Sequence, residues 1–276
     1  MGNLRTRNTS LLDLIEDSFK RNWKYPASSD SGTDTSYTYG DVVKNIMRLH
    51  AIFKDLGIKR GDRISLCDKN SSRWGISMMA IMTYGAVAVP ILSDFSVEQI
   101  INIYQHSGSK LMMCGPRLID HFPDGMDISN FSLASGKNLH PLEKFRKVKP
   151  SKIQFFRDSA NDPCIISYTS GSTGRSKGVV LPYRSVWANA VFVDERLRIP
   201  MHADIMPLLP MSHMLGFAFE FMYGTLIGSH IHFLTKVPSP KIVLEAFQSV
   251  RPIMIVCVPL VIALVHLHNL SLGGPA

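Results

Sequence analysis

From residue 63 onward the chain alternates short apolar runs with longer amphipathic stretches, a rhythm that neither a helical bundle nor an all-β sandwich can use. Residues 63–67, 87–91 and 111–114 read as strands, with helices at 72–84 and 97–106 between them. After a polar stretch the rhythm resumes with strands at 164–168, 179–181, 205–209, 230–234 and 253–258. Helices are expected at 184–197, 212–225 and from 240 to about 250. Before the rhythm begins, Leu11, Leu12, Ile15 and Phe19 mark one helix and 39–56 a second. Thr38 stands three residues ahead of Asp41 and Gly57 follows the last apolar position, so both ends of the second helix carry caps. The reading is an α/β fold with largely parallel sheets flanked by helices and right-handed crossovers. Residues 121–157 are polar, basic and weakly periodic, and form the natural place for a subdivision near 121–160.

Composition supports a folded chain. At 276 residues with 45% hydrophobic side chains, roughly three-quarters of the unfolded surface can be buried. Gly and Pro number 19 and 16 without a period, which excludes collagen-like and low-complexity classes. The net charge of +8 is local rather than general. Much of it lies in Lys137, Lys144, Arg146, Lys147, Lys149, Lys152 and Arg157, opposed within that run only by Glu143. Two readings stay open for this run, a solvated basic face or attraction to phosphate or anionic lipid. Nucleic acid is not expected as a partner, because no helix-turn-helix, zinc-finger spacing or aromatic RNA-binding motif accompanies it.

Cys67, Cys114, Cys164 and Cys257 are widely spaced in apolar surroundings and read as reduced core thiols, with no CxxC pair to hold zinc. Acidic residues Asp13, Glu16 and Asp17 break the N-terminal apolar stretch, so no signal peptide is expected. The first six residues fit the myristoylation pattern only loosely. The run 253–265 is too short to span a bilayer, and 214–234 contains Glu220, His230 and His232; no transmembrane helix is expected. The chain reads as cytoplasmic, with peripheral membrane contact left open.

The chemistry concentrates in one segment, Thr169-Ser170-Gly171-Ser172-Thr173-Gly174-Arg175-Ser176-Lys177-Gly178, between two expected strands. Glycines let backbone N–H groups turn toward an anion, hydroxyls donate to its oxygens, and lysine adds a point charge, so the loop suits phosphate. Its place after a strand fits the ligand crevice at the carboxyl end of a parallel sheet. Two familiar phosphate loops fail on spacing. Ahead of Lys177 the Walker A glycine is replaced by Ser176, and its hydroxyl residue by Gly178. Gly171 and Gly174 lack the third glycine of the dinucleotide fingerprint. A plain Ser/Gly linker is the bland alternative, but linkers seldom join buried strands and carry a lysine there.

Extended by Tyr168 and Val179, this loop resembles the signature of the adenylate-forming, AMP-binding superfamily, which includes acyl-CoA synthetases, peptide adenylation domains and luciferases. Ser176 departs from the proline usual there, a change expected to alter loop mobility more than chemistry. The resemblance extends to Thr38-Tyr39-Gly40-Asp41, to Gly57-Ile58-Lys59-Arg60-Gly61-Asp62-Arg63, to Asn70-Ser71-Ser72-Arg73-Trp74, to Gly85-Ala86-Val87-Ala88-Val89-Pro90-Ile91 and to Pro207-Leu208-Leu209-Pro210-Met211-Ser212-His213. Its wording is most similar to long-chain fatty acyl-CoA synthetases, and it covers the chain from about residue 11 to Pro259.

The resemblance implies an acyl-CoA synthetase-like N-terminal domain and a two-step ligase. A carboxylate attacks the α-phosphorus of ATP to give acyl-adenylate and pyrophosphate, and the thiol of CoA then displaces AMP. It further implies that Thr169, Ser170, Gly171, Ser172, Thr173, Gly174 and Lys177 hold the β- and γ-phosphates, that Thr169 helps ligate Mg²⁺, and that His213 lines the acyl and adenylate pocket. Fatty acid, ATP and CoA are the implied partners. On composition alone His213 reads as an ordinary partly buried histidine; the motif context gives it a site role. The pairs His230/His232 and His266/His268 are weak metal candidates, each without a third ligand nearby in sequence.

The later motifs of the superfamily are not found after Val258. Those are a Tyr-Gly-x-Thr-Glu segment, the ribose-binding aspartate, the hinge and the catalytic lysine of the small C-terminal domain. Residues 1–276 are thus expected to be a partial N-terminal domain with the small C-terminal domain absent, showing little or no ligase activity alone. Exposed apolar surface would favour a homo-oligomer. A non-catalytic nucleotide- or acyl-binding module that ends here is the second functional class.

Overall fold

Apolar runs of four or five residues are too short for stable helices and, bounded by turn residues, enter sheets. The computed structural model describes residues 10–137, 139–157, 159–169, 177–236 and 239–257. In chain order these contain α1 (Leu11–Arg21), β1 (Pro26–Ser31), β2 (Ser36–Thr38), α2 (Tyr39–Asp55), β3 (Arg63–Cys67), α3 (Ser72–Tyr84), β4 (Val87–Pro90), α4 (Val97–Ser107) and β5 (Leu111–Cys114). There follow α5 (Pro116–Ile119), β6 (Met126–Asp127), β7 (Ser132–Leu133), two 3₁₀ turns, β8 (Pro163–Thr169), β9 (Lys177–Pro182), α6 (Tyr183–Leu197) and β10 (Asp204–Ile205). The short α7 (Met214–Gly216) runs through a π-helical turn, Phe217–Met222, into α8 (Tyr223–Ile227), and β11 (His230–Leu234) and α9 (Pro240–Val250) complete the order.

Among the described residues two sheets organise the fold. One has seven strands in the order β7-β6-β5-β3-β4-β8-β9; β6 through β8 in that row are parallel and each edge strand is antiparallel to its neighbour. The other has four strands in the order β10-β11-β1-β2. Alternation along the central strands sorts their side chains to two faces. Ile64, Leu66, Ala88, Leu111 and Met113 join the large core that includes α2 and α3, whereas Cys67, Val89, Met112 and Cys114 pack with Ile100 and Ile103 of α4. Helices therefore cover both faces.

Helix ends follow the capping signals. Thr38 and Asp41 close a reciprocal box at the start of α2, Ser96 and Gln99 do the same for α4, and Ser239 caps α9 ahead of Pro240. Gly85 ends α3 at φ 85°, with the Phe156 ring 3.0 Å from where a Cβ would sit, so both conformation and space require glycine.

Three local expectations change. The strand expected at 205–209 shrinks to β10, because Pro207 and Pro210 cannot donate to a ladder. The strand expected at 253–258 reduces, among the described residues, to one bridge between Met254 and Ile205, and Ile253 is 59% exposed. Conversely β1 and β2 carry no strand-like apolar pattern, and β1 is ordered by pairing with β11 and β2 on its two sides. Cys67, Cys114, Cys164 and Cys257 form no disulfide, and the first three are buried. Among the described residues no helix is long and apolar enough to cross a membrane.

Candidate functional site

Residues 170–176 lie in sequence between two strands that pair with each other. β8 and β9 pair antiparallel, with Thr169 opposite Lys177, Ser167 opposite Val179 and Ile165 opposite Leu181. Residues directly opposite in an antiparallel pair share a face, so the hydroxyl of Thr169 and the ammonium of Lys177 stand on one face at the end of this strand pair. Both residues are exposed. Ser170, Gly171, Ser172, Thr173 and Gly174, with Arg175 and Ser176, lie outside the described residues.

Beside that strand pair a cavity of about 390 Å³ is lined by Ser167, Thr169, Val179 and Leu181 from the two strands, by Ser185, Val186 and Asn189 from α6, and by His213, Met214, Phe217 and Ala218. Two motifs far apart in sequence, the hydroxyl loop and the segment ending in His213, thus meet at one opening. The cavity is polar at Thr169, Ser167 and His213 and apolar between Val179, Leu181, Met214 and Phe217. His213 is exposed and stands at the N-terminal end of α7, where its backbone N–H donates to the Pro210 carbonyl over 2.9 Å. A π-helical turn follows immediately, a backbone form that recurs at functional sites.

Asn70 positions the His213 segment. Its Nδ2 donates to the Leu209 carbonyl at 2.7 Å, and the Met211 backbone N–H donates to its Oδ1 at 2.8 Å. One amide thereby ties the N-terminal end of α3 to residues 209–211. Sequence reading noted Asn70 only as part of a motif; its separation from Met211 by 141 positions hides the role. On the other side of the strand pair the Tyr168 phenol lies 2.7 Å from His106 Nδ1 of α4, which braces the carboxyl end of β8. A second cleft of about 240 Å³ opens at the carboxyl ends of β3, β4 and β11, lined by Asp68, Lys69, Asn70, Asp94, Ser212 and Lys236 among others. Burial raises the Asp68 carboxyl above its ordinary value, against the Lys69 backbone hydrogen bond that lowers it.

Glu220, in the π-helical turn, is fully buried. Its Oε1 accepts from the backbone N–H groups of Leu208 at 3.4 Å and Val256 at 3.2 Å. Burial pushes this carboxyl up to about 8, partly opposed by those backbone donors. His230 and His232 do have a third neighbour, contrary to the sequence reading: β10 places Asp204 beside both, because Asp204 is the register partner of His230. His266 and His268 lie outside the described residues.

The AMP-binding enzyme family matches residues 15–273. The chain is 23% identical over 295 residues to a probable CoA ligase, CCL6, of Humulus lupulus, covering 95% of this chain and 44% of the relative. It is 26% identical to the chloroplastic long-chain-fatty-acid–[acyl-carrier-protein] ligase AEE15 of Arabidopsis thaliana, covering 81% and 34%. Among solved structures, o-succinylbenzoate CoA synthetase (MenE) of Bacillus subtilis, in complex with ATP and a magnesium ion, superposes with a TM-score of 0.72 at 17% identity, covering 91% of this chain and 64% of that one. The chain thus spans under half the length of these two curated relatives.

Proposed function

Because the chain belongs to the AMP-binding enzyme family, we propose that it supplies the nucleotide-phosphate and acid-binding part of an ATP-dependent acid–thiol ligase. The observation that carries this reading is the cavity that Thr169 shares with His213, with Lys177 directly opposite Thr169 in the strand pair.

In this reading Lys177 neutralises the β- and γ-phosphates, together with the hydroxyls of Thr169, Ser170, Ser172 and Thr173 and the backbone N–H groups of Gly171 and Gly174. The residues present fit that task, since an exposed hydroxyl and an exposed ammonium stand side by side at the carboxyl end of β8. Mg²⁺ would be held by the Thr169 hydroxyl with nucleotide phosphate and water, the coordination this ion favours. Among the described residues the one group of three possible metal ligands lies elsewhere, at Asp204, His230 and His232. When bound, the ion offsets charge on the departing pyrophosphate.

The substrate is read as a carboxylic acid with an apolar tail, long-chain fatty acid being the favoured class. Val179, Leu181, Val186, Met214 and Phe217 offer such a tail an apolar wall, while the head group meets Thr169 and His213. CoA is the proposed thiol acceptor. Bound alone to nucleotide, the chain is expected to show little turnover. The basic run from Lys137 to Arg157 keeps both readings, a solvated face or a contact with anionic lipid, and Arg157 within it is paired with Asp13 and Glu16.

Calorimetry with ATP and with pyrophosphate tests the phosphate assignment. Lys177→Ala should weaken pyrophosphate binding roughly tenfold or more, since it removes a charge-assisted contact. Equal affinity in the two chains would remove the loop from the site.

A further inference from the structure

Asp204, His230 and His232 form a site that the phosphate chemistry does not use. His230 and His232 are two apart on β11, so both side chains leave the same face of the four-stranded sheet, opposite the buried Ile231 and Phe233. β10 runs parallel beside them, with Asp204 in register with His230. The result is two imidazoles on one carboxylate oxygen: His232 Nε2 lies 2.8 Å and His230 Nδ1 3.7 Å from Asp204 Oδ1, with ring centroids 3.9 Å apart.

We infer that Asp204, His230 and His232 bind a divalent transition-metal ion of the Zn²⁺ class. The donor set, two imidazole nitrogens and one carboxylate, is the kind that first-row divalent ions prefer. Adjacent ligands of a tetrahedral ion with bonds of 2.0–2.2 Å stand about 3.4 Å apart. The two spacings to Asp204 Oδ1 bracket that value, so small side-chain rotations admit the ion. A simple His–Asp hydrogen bond accounts for His232 but leaves His230 unexplained. The Nε2 of His230 is buried without a hydrogen-bond partner among the described residues, and its Nδ1 lies 3.7 Å from Asp204 Oδ1.

Of the two histidines, His232 has the polar partner on its second ring nitrogen that metal-binding imidazoles usually have, whereas Nε2 of His230 has none among the described residues. Ser29 Oγ of β1 lies 3.2 Å from His232 Nδ1. Without metal, Nε2–H of His232 donates to Asp204 and Nδ1 accepts from the serine hydroxyl. With metal on Nε2, the proton sits on Nδ1 and donates to the same oxygen. Serine serves either tautomer. Asp204 and His232 open onto a cleft of about 460 Å³ that Lys236 and Glu245 also line, leaving an entry path and room for a fourth, exchangeable ligand. The ion would clip β10, β11 and, through Ser29, β1 together.

The test uses the full chain freed of metal by chelator, titrated with Co²⁺ by visible absorption and then with competing Zn²⁺. One ion per chain is expected with tetrahedral or five-coordinate bands. Asp204→Asn, His230→Ala and His232→Ala should each weaken binding roughly tenfold or more, while Lys177→Ala leaves it unchanged. Circular dichroism establishes that each variant is folded. For any variant that is not, protection of His230 and His232 from diethylpyrocarbonate by Zn²⁺ in the unmutated chain decides, read by mass spectrometry. Absence of Co²⁺ and Zn²⁺ binding at millimolar metal, undiminished binding by the folded variants, or equal modification with and without Zn²⁺ would each overturn the site.

Discussion

Glu220 is a carboxyl held in the core by two backbone donors, and burial pushes it up to about 8 from an ordinary value of 4.5. Between those values the unfolded chain releases the proton while the folded chain keeps it, so stability falls as pH rises through the window and the loss is complete above about 8. Glu220→Gln keeps the oxygen that accepts from Leu208 and Val256 and removes the titration. Urea unfolding of both chains at pH 6 and pH 9 should show the variant gaining about 2–3 kcal/mol relative to the parent; a difference that does not change with pH would contradict the buried proton. His50 has the opposite sign. Burial holds it down to about 4, so its neutral form, with Nε2 3.0 Å from the Ala80 carbonyl, costs the fold stability as pH falls below 6.5. Neither group was legible as unusual in sequence, because a lone glutamate among aromatics and a histidine in an amphipathic helix acquire their character only from what packs over them.

At the scale of elements, most of the periodic segments were legible. β3, α3, β5, β11 and α9 span 63–67, 72–84, 111–114, 230–234 and 240–250, as the sequence pattern predicts, because caps and apolar periodicity are local properties. The polar strand β1 was not, since its order depends on partners about 200 residues away in the chain: Ser29 pairs with His232 and Asp30 with Phe233. Joints between elements were equally hidden. Asn70 connects α3 to residues 209–211 by two hydrogen bonds. Asn70→Ala strands the Leu209 carbonyl and the Met211 N–H, and is expected to cost on the order of 2–3 kcal/mol. Because that segment carries His213, weaker acid binding should accompany the loss. Denaturant titration and fatty-acid displacement of a bound fluorescent analogue check the two effects, and stability equal to the parent would remove Asn70 as the joint.

At the scale of the molecule, β9 is, among the described residues, an edge of the seven-stranded sheet, and Val179 and Val180 on it are 48% and 56% exposed. Leu215 and Phe192 nearby are each 51% exposed. An apolar open edge invites pairing with a second copy. Sedimentation velocity should show the average mass rising with concentration, and Val180→Lys should suppress that rise; an unchanged profile would assign the association to another surface. By itself the sequence determined the α/β class, the strand and helix periods, the phosphate-suited loop and the family it resembles, since propensity, capping and motif chemistry act over a few residues. Tertiary structure alone decided that Thr169 shares a cavity with His213, that Glu220 keeps its proton, and that Asp204 reaches His230 and His232. Each of those depends on strand register and on water excluded by distant segments, and neither quantity is written in any short stretch of chain.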